Sequence, residues 1–298
     1  MAQDNDTKST YGLLGRNISY SLSPVMHNAA FRHFGVPAEY KLFDIEEDDL
    51  NDFFRKNVLG GYLGGFNITV PYKIKMLEVI QNCALVRAEK DRSVELVGAI
   101  NTVKVNGKRL GVYNTDIDGF FDSLIEDLGF EPGRWKNYFV FGAGGAGRAI
   151  CLFLASLKYS EKVKVHDVDE KKLGDLMKGY KASPSADKIS PVRADDLQKE
   201  IRHCDLIINA TPVGTKEDDP PLFALEYLGK GMAVYDLVYA RETDLVKEAR
   251  AKGLKASGGL GMLIGQGARA FNIWTGKPLE ETRKVMREAL KTKGYGTG

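Results

Sequence analysis

The stretch Tyr138-Phe139-Val140-Phe141-Gly142-Ala143-Gly144-Gly145-Ala146-Gly147, YFVFGAGGAG, decides the fold. Four β-forming residues run into a glycine-rich loop, and the apolar RAICLFLASL (148–157) follows with helical spacing. Strand, GxGxxG and helix in that order are the context that gives the motif meaning as a dinucleotide site. The spacing predicts a tight turn at Gly142, close backbone approach to a pyrophosphate at Gly144, and helix–strand packing at Gly147. The helix N-terminus then faces the phosphates. Gly142, Ala143, Gly144, Gly145, Ala146 and Gly147 are the candidate cofactor-binding residues; a glycine turn that only packs is the plainer reading. The next strand-like run, KVKVH (162–166), ends at Asp167, twenty residues past Gly147. An acid near that offset accepts from adenosine ribose hydroxyls and repels a 2′-phosphate. The expected cofactor is therefore NAD, with NADP less favoured, although Lys171 and Lys172 stand close by. A helix N-cap or a solvated loop acid is the alternative role for Asp167.

Outward from this loop the pattern alternates. DLIIN (205–209) and MAVYDLV (232–238) read as further strands, with helices at 146–157, 170–178 and 243–252. Upstream, YGLLG (11–15), EYKLFDI (39–45) and LGGFNIT (63–69) read as strands, with helices at 24–34 and 48–57. TVKVNGKRLGVYNT (102–115) carries Asn106-Gly107 between two alternating runs, a hairpin signal. From about Gly259 the chain is helical, broken near Gly276-Lys277-Pro278. KASPSADKISP (181–191) reads as a loop. Strand–helix alternation predicts an α/β protein with helix-covered parallel sheets.

The 298 residues, 43% hydrophobic and 28% charged, suit two domains with real cores. A net charge of +2 gives no case for nucleic acid or membrane partners. Three scattered cysteines allow no disulfide framework, and four histidines form no HExxH, so no metal is expected. The N-terminal MAQDNDTKST is polar, reads as frayed, and lacks a signal-peptide core; the expected compartment is the cytoplasm. The expected partner is a small molecule, and the expected assembly is a monomer or homodimer.

The upstream half carries a second set of polar residues. Ser21-Leu22-Ser23-Pro24 precedes a helix, so Ser23 reads as an N-cap, while Ser21 has no capping role. Two hydroxyls beside a helix N-terminus suit a carboxylate. In GFNITVPYK (65–73), Pro71 reads as the first residue of a helix and places Lys73 in its first turn. There the helix dipole disfavours a cation. Asn67, Thr69, Asn101, Thr102, Asn114, Thr115 and Asp116 lie at strand ends, where open α/β sheets bind ligands. Such a set can hold a polyhydroxylated acid.

At this point the residues resemble the shikimate/quinate dehydrogenase family. The matching motifs are SLSP (21–24), NITVPYK (67–73), GAINTV (98–103), GVYNTDIDG (111–119), GAGGAGRA (142–149), NATPVG (209–214), YDLVY (235–239) and GMLIGQGA (261–268). The resemblance implies two α/β domains around a cleft. Residues 1–115 plus 260–298 would form a discontinuous substrate-binding catalytic domain, and 116–259 a Rossmann NAD(P)-binding domain. It implies reduction of 3-dehydroshikimate to shikimate in aromatic amino acid biosynthesis, or interconversion of quinate and 3-dehydroquinate. Lys73 and Asp116 would be the catalytic pair, with Lys73 exchanging the proton and Asp116 orienting it. Ser21 and Ser23 would take the carboxylate; Thr69, Asn101, Asp116 and Gln266 would hold ring hydroxyls, with Tyr239 lining the pocket. Thr211 and Gly261 would join the cofactor residues. Many members carry Asn-Arg-Thr where this chain has His166-Asp167-Val168, a departure that again favours NAD. The leading expectation is an NAD-preferring shikimate dehydrogenase that also acts on quinate. The alternatives are a quinate dehydrogenase or a non-catalytic ligand-sensing relative.

Overall fold

The computed structural model describes residues 9–180 and 185–296. The N-terminal stretch expected to fray and the first part of the 181–191 loop thus lie largely outside the described residues. The chain divides into two compact units. Among the described residues one runs to Thr115 and resumes at Ile264–Gly296, and the other is Asp116–Leu263.

The first unit opens with β1 (Ser9–Gly15), α1 (Ser23–His33), β2 (Ala38–Asp44), α2 (Leu50–Phe53) and β3 (Leu63–Ile68). It continues with α3 (Lys75–Asn82), β4 (Arg87–Lys90), α4 (Arg92–Val97), β5 (Thr102–Asn106) and β6 (Arg109–Tyr113). Its sheet has the order β2-β1-β3-β5-β6-β4. The first three strands are parallel, and β5 turns the sheet antiparallel. The hairpin loop is Gly107-Lys108, with Asn106 still paired to Arg109 and Gly107 at φ +57°. The turn thus falls one residue later than Asn106-Gly107 suggests, because the left-handed position goes to the residue without a Cβ. Leu14, Phe66, Ile68, Tyr72, Met76 and Val103 anchor the core on one side of this sheet.

Three local expectations fail here. The helix expected over 48–57 is a 3-10 turn, then α2, then a π-helical turn at Phe54–Leu59. Pro71 does not begin a helix: it follows a cis peptide bond in a turn, and α3 starts at Lys75. Lys73 therefore precedes the helix. Ser23 is not an N-cap either. It is already helical, its flanking Leu22 offers no side-chain cap, and Ser21 Oγ accepts from Ser23 N at 3.3 Å.

The second unit contains α5 (Asp116–Leu128), β7 (Asn137–Phe141), α6 (Gly145–Ser156), β8 (Lys162–His166), α7 (Glu170–Tyr180) and β9 (Ile189–Pro191). After these come α8 (Leu197–Ile201), β10 (Leu206–Asn209), β11 (Ala233–Asp236), α9 (Asp244–Ala251) and β12 (Lys255–Ser257). Its sheet, β12-β11-β10-β7-β8-β9, is parallel throughout. Numbered within the unit, the order is 3-2-1-4-5-6, that of the doubly wound dinucleotide fold. The chain reverses direction across the sheet between β7 and β10, so the loops after these two strands flank the switch point. Strands β7, β10 and β11 are almost wholly buried, as their unbroken apolar runs require. Phe141 stacks on Phe223 with centroids 5.4 Å apart. β9 lies inside the stretch read as a loop; a three-residue edge strand ending in proline carries almost no periodic signal. The chain re-enters the first unit within α10 (Leu260–Thr275), and α11 (Leu279–Lys291) follows after the break at Gly276.

Candidate active site

In the first unit a buried polar cluster gathers residues from six segments. The antiparallel register sets Asn67 opposite Thr102. Asn67 Nδ2 donates to Thr102 Oγ1 at 2.9 Å and to the Asn101 carbonyl at 3.2 Å. Its Oδ1 accepts from the Tyr40 hydroxyl at 2.8 Å. Asn101 Oδ1 accepts from Thr115 N at 2.8 Å and from Thr102 Oγ1 at 2.9 Å, and Asn101 Nδ2 donates to Thr115 Oγ1 at 3.0 Å. Thr115 Oγ1 also lies 3.2 Å from the Gln266 carbonyl, which joins α10 to the cluster. At the other end Ser21 Oγ donates to Ser23 Oγ at 3.2 Å, and Ser23 lies close enough to the Tyr40 phenol to act on its charge. Burial raises the Tyr40 phenol far above its ordinary range, so it is a neutral donor.

Of the expected substrate residues, Ser21, Ser23, Asn101 and Gln266 meet in this cluster. Thr69 is held at the end of β3 by its N–H on the Leu14 carbonyl, and Lys73 by its carbonyl accepting from Ile100 N at 3.1 Å. Lys73 is half-buried. Tyr40 was missed by sequence reading, since one aromatic in an alternating strand looks like ordinary core. A buried tyrosine does need a partner for its hydroxyl, which is the signal that could have found it.

In the second unit, Gly142 sits at φ +97°, and a Cβ there would lie 2.8 Å from the Ala210 carbonyl and 3.0 Å from Thr211 Cγ2. A Cβ on Gly147 would collide with the Gly142 carbonyl oxygen, while one on Gly144 would meet open space. The loop is thus closed on itself at two glycines and open at the third, and α6 begins at Gly145 with Gly144 as its N-cap. Thr211 donates through N and Oγ1 to Asn209 Oδ1 at 2.9 and 2.7 Å. Asn209 Nδ2 donates to Asp236 Oδ1 at 2.9 Å, and Asp236 also accepts from Val238 N at 3.0 Å and Thr243 Oγ1 at 2.7 Å. Burial raises the Asp236 carboxyl above the usual range despite these donors. Sequence reading gave Asp236 no role of its own, although an acid inside a buried strand must be hydrogen-bonded.

Tyr239 lies half-buried beyond β11, and Asp116 is buried at the start of α5. A Cβ on Gly261 would strike the Asp127 carboxylate and sit 3.0 Å from Ser123 Cβ, so this glycine lets α10 pack against α5. Asp167 is turned inward. Its Oδ2 accepts from Ala143 N at 2.7 Å and its Oδ1 from Asp169 N at 2.9 Å. Among the described residues, no cluster of three or more His, Cys, Asp or Glu could hold a metal, and no helix is long and apolar enough to cross a membrane.

A glycine loop at the switch point of a doubly wound sheet, with a second α/β unit lined by hydroxyls and amides, defines a dinucleotide-dependent oxidoreductase. The comparisons narrow this. The model of the shikimate dehydrogenase substrate binding domain matches residues 13–103, and that of the shikimate 5′-dehydrogenase C-terminal domain matches 259–291. A shikimate dehydrogenase (NADP(+)) from Methanopyrus kandleri is 37% identical over 94% of this chain and 93% of its own. The chain belongs to the shikimate dehydrogenase family, whose members are NAD(P)-dependent oxidoreductases. The shikimate 5-dehydrogenase of Thermus thermophilus in complex with NADP(H) and shikimate is 29% identical with a TM-score of 0.77, covering 94% of this chain and 99% of that one. The quinate dehydrogenase of Corynebacterium glutamicum in complex with NAD is 28% identical with a TM-score of 0.81, covering 93% and 98%.

These findings correct the cofactor expectation. The relatives from M. kandleri and Bacillus subtilis are both named for NADP(+), and a solved relative 33% identical is in complex with NADP+. The preference for NAD inferred from Asp167 is not supported. In the structure the Asp167 carboxylate accepts from backbone N–H groups of the glycine loop and the following turn, so it serves the loop itself.

Proposed function

We propose that this chain interconverts 3-dehydroshikimate and shikimate with NADP(H). The observation that carries the reading is the buried cluster of Ser21, Ser23, Tyr40, Asn67, Asn101, Thr102 and Thr115. It concentrates neutral hydroxyl and amide groups, the donor set that a polyhydroxylated carboxylic acid requires. The glycine loop fits a dinucleotide, because Gly144 leaves room where a Cβ would intrude and the N-terminus of α6 offers backbone donors.

A bound nicotinamide supplies the hydride acceptor or donor. Lys73 is the general base in the alcohol-to-ketone direction, taking the hydroxyl proton, and returns it to the carbonyl oxygen in reverse. Asp116 is the second catalytic group. Ser21 and Ser23 receive the substrate carboxylate, and Thr69, Asn101 and Gln266 hold ring hydroxyls, with Tyr239 as a lining residue. Gly142–Gly147 and Thr211 form the cofactor loop. The first unit is the substrate domain and the second the dinucleotide domain. Quinate, another cyclic polyhydroxylated acid, is a second substrate; the likeness to the C. glutamicum enzyme supports this. The three unpaired cysteines support a reducing cytoplasm.

The test is a set of initial rates with shikimate and quinate, each with NADP and NAD, compared as kcat/KM. Shikimate with NADP highest is the expected result. Quinate highest in both cofactor arms would reassign the principal substrate, and no rate in any arm would sink the dehydrogenase reading.

A further inference from the structure

The loop that carries Ser21 is held by a carboxylate from the next strand. β1 ends at Gly15, which pairs with Asp44, the last residue of β2. Asp44 Oδ1 accepts from Asn17 N at 2.8 Å, and its Oδ2 accepts from Ile18 N at 3.0 Å. Two successive amides that point at one anion form a nest, which needs a left-handed or turn conformation in the chain. Asn17 supplies it: among the described residues it alone has a positive φ without being glycine, at +55°. Asparagine is one of the side chains that tolerate this conformation best. Both oxygens of an acceptor-only group are thus used, each in a charge-assisted bond.

From this tether a chain of hydrogen bonds leads to the serines. Ile18, whose N–H is held by Asp44, offers its carbonyl to Ser21 N at 2.9 Å. Ser21 Oγ then accepts from Ser23 N at 3.3 Å and donates to Ser23 Oγ at 3.2 Å. The Ile18 side chain is buried, and Gly15 admits it. A Cβ on Gly15 would lie 2.7 Å from Ile18 Cγ2 and 2.5 Å from Thr69 Cγ2. Asp44 thus fixes the loop where it packs beside Thr69. The second unit repeats the device. Phe141 pairs with His166 at the ends of β7 and β8, and Asp167 just beyond holds Ala143 N. In each unit the tethered amide belongs to the second residue past the first strand. One carboxylate steadies the loop of glycines, the other the loop of serines.

We propose that Asp44 is a positioning residue that acts through Ser21 and Ser23. By fixing Asn17 and Ile18 it presets the two hydroxyls for the substrate carboxylate, so binding spends little on ordering the loop. Without the acid, the ligand itself must order residues 16–22. The loss then falls on affinity for the carboxylate and not on the proton and hydride transfers at the reacting hydroxyl. The proposal rests on the shikimate reading of the same site, in which the two serines receive the carboxylate.

The experiment compares shikimate with its methyl ester, which keeps the ring hydroxyls but lacks the carboxylate charge, at saturating NADP. Wild type is expected to favour the acid. Asp44 is exposed, and the bond from Ile45 N to the Gly15 carbonyl at 3.1 Å remains without it, so Asp44→Ala should keep its sheet. This variant is expected to raise KM for shikimate about three- to tenfold with kcat within about twofold, the scale of one or two lost hydrogen bonds. For the ester the same change should move KM by less than about twofold. Asp44→Asn keeps the shape but can accept from only one of the two amides, and should show the same split to a smaller degree. An equal rise for acid and ester would make Asp44 a general support of the fold and overturn the proposal. So would an unchanged or lowered KM for the acid, or a wild type that does not favour the acid. A wild type with no shikimate turnover overturns both the proposal and the substrate reading beneath it. Normal wild-type turnover without the split in either variant overturns only the role of Asp44.

Discussion

The carboxylate of Asp167 accepts a hydrogen bond from the backbone N–H of Ala143 at 2.7 Å, so the residue after β8 ties down the loop after β7. With the second bond from Asp169 N, the acid closes the glycine loop against the adjacent turn. Asp167→Ala removes two charge-assisted bonds and is expected to cost about 1–3 kcal/mol. Urea denaturation should show that loss, and NADPH titration by fluorescence should show weaker binding as the loop loosens. Wild-type values in both would mean that the loop holds its shape without the acid.

Gly144 and Gly147 should respond in opposite ways to the same added methyl group. Gly144→Ala enters open space and is expected to leave Tm unchanged while weakening NADPH binding. Gly147→Ala drives a Cβ into the Gly142 carbonyl and is expected to lower Tm by several degrees as well as abolish tight binding. Equal melting temperatures for the two variants would contradict this division of roles.

Lys73→Ala is expected to reduce kcat by about two to four orders of magnitude with far less change in KM, the signature of a lost general base. A near-normal kcat would remove Lys73 from the chemistry. The residue precedes α3 and is fixed by its backbone bond to Ile100, so the substitution should not unfold the helix.

His27 sets an acid limit on stability. Its pKa falls to about 3 in the folded chain from an ordinary 6.5 because burial disfavours the imidazolium. Stability from keeping the ring neutral is complete above pH 6.5 and is lost as pH falls towards the folded value. Between pH 7 and 4.5 the loss is on the order of 2–3 kcal/mol. His27→Phe removes this titration, so its urea midpoint should fall less than that of wild type over the same range. Parallel pH profiles for the two proteins would refute the account.

Much of the fold is legible along the chain. The largely apolar runs of β7, β10 and β11, the glycine loop between strand and helix, and the β5–β6 hairpin each carry their own local signal. The short edge strands β4, β9 and β12 were not recognised, because three or four half-exposed residues hold no periodicity. The start of α3 was misplaced because proline suits a turn as well as a first helical turn.

What the sequence by itself determined was the alternation of strands and helices and the residues able to cradle a dinucleotide, since backbone preference and apolar period act over a few neighbours. What only the tertiary structure decided was which polar groups are spoken for. Asp167 is engaged by a backbone amide 24 residues away, and Tyr40 by Asn67 at a separation of 27. Such pairings are set by strand order and register, which bring distant residues within hydrogen-bond reach and which no local pattern encodes. A carboxylate that reads as a ribose acceptor is also a loop tether, and a tyrosine in an alternating strand proves to be the partner of a buried amide.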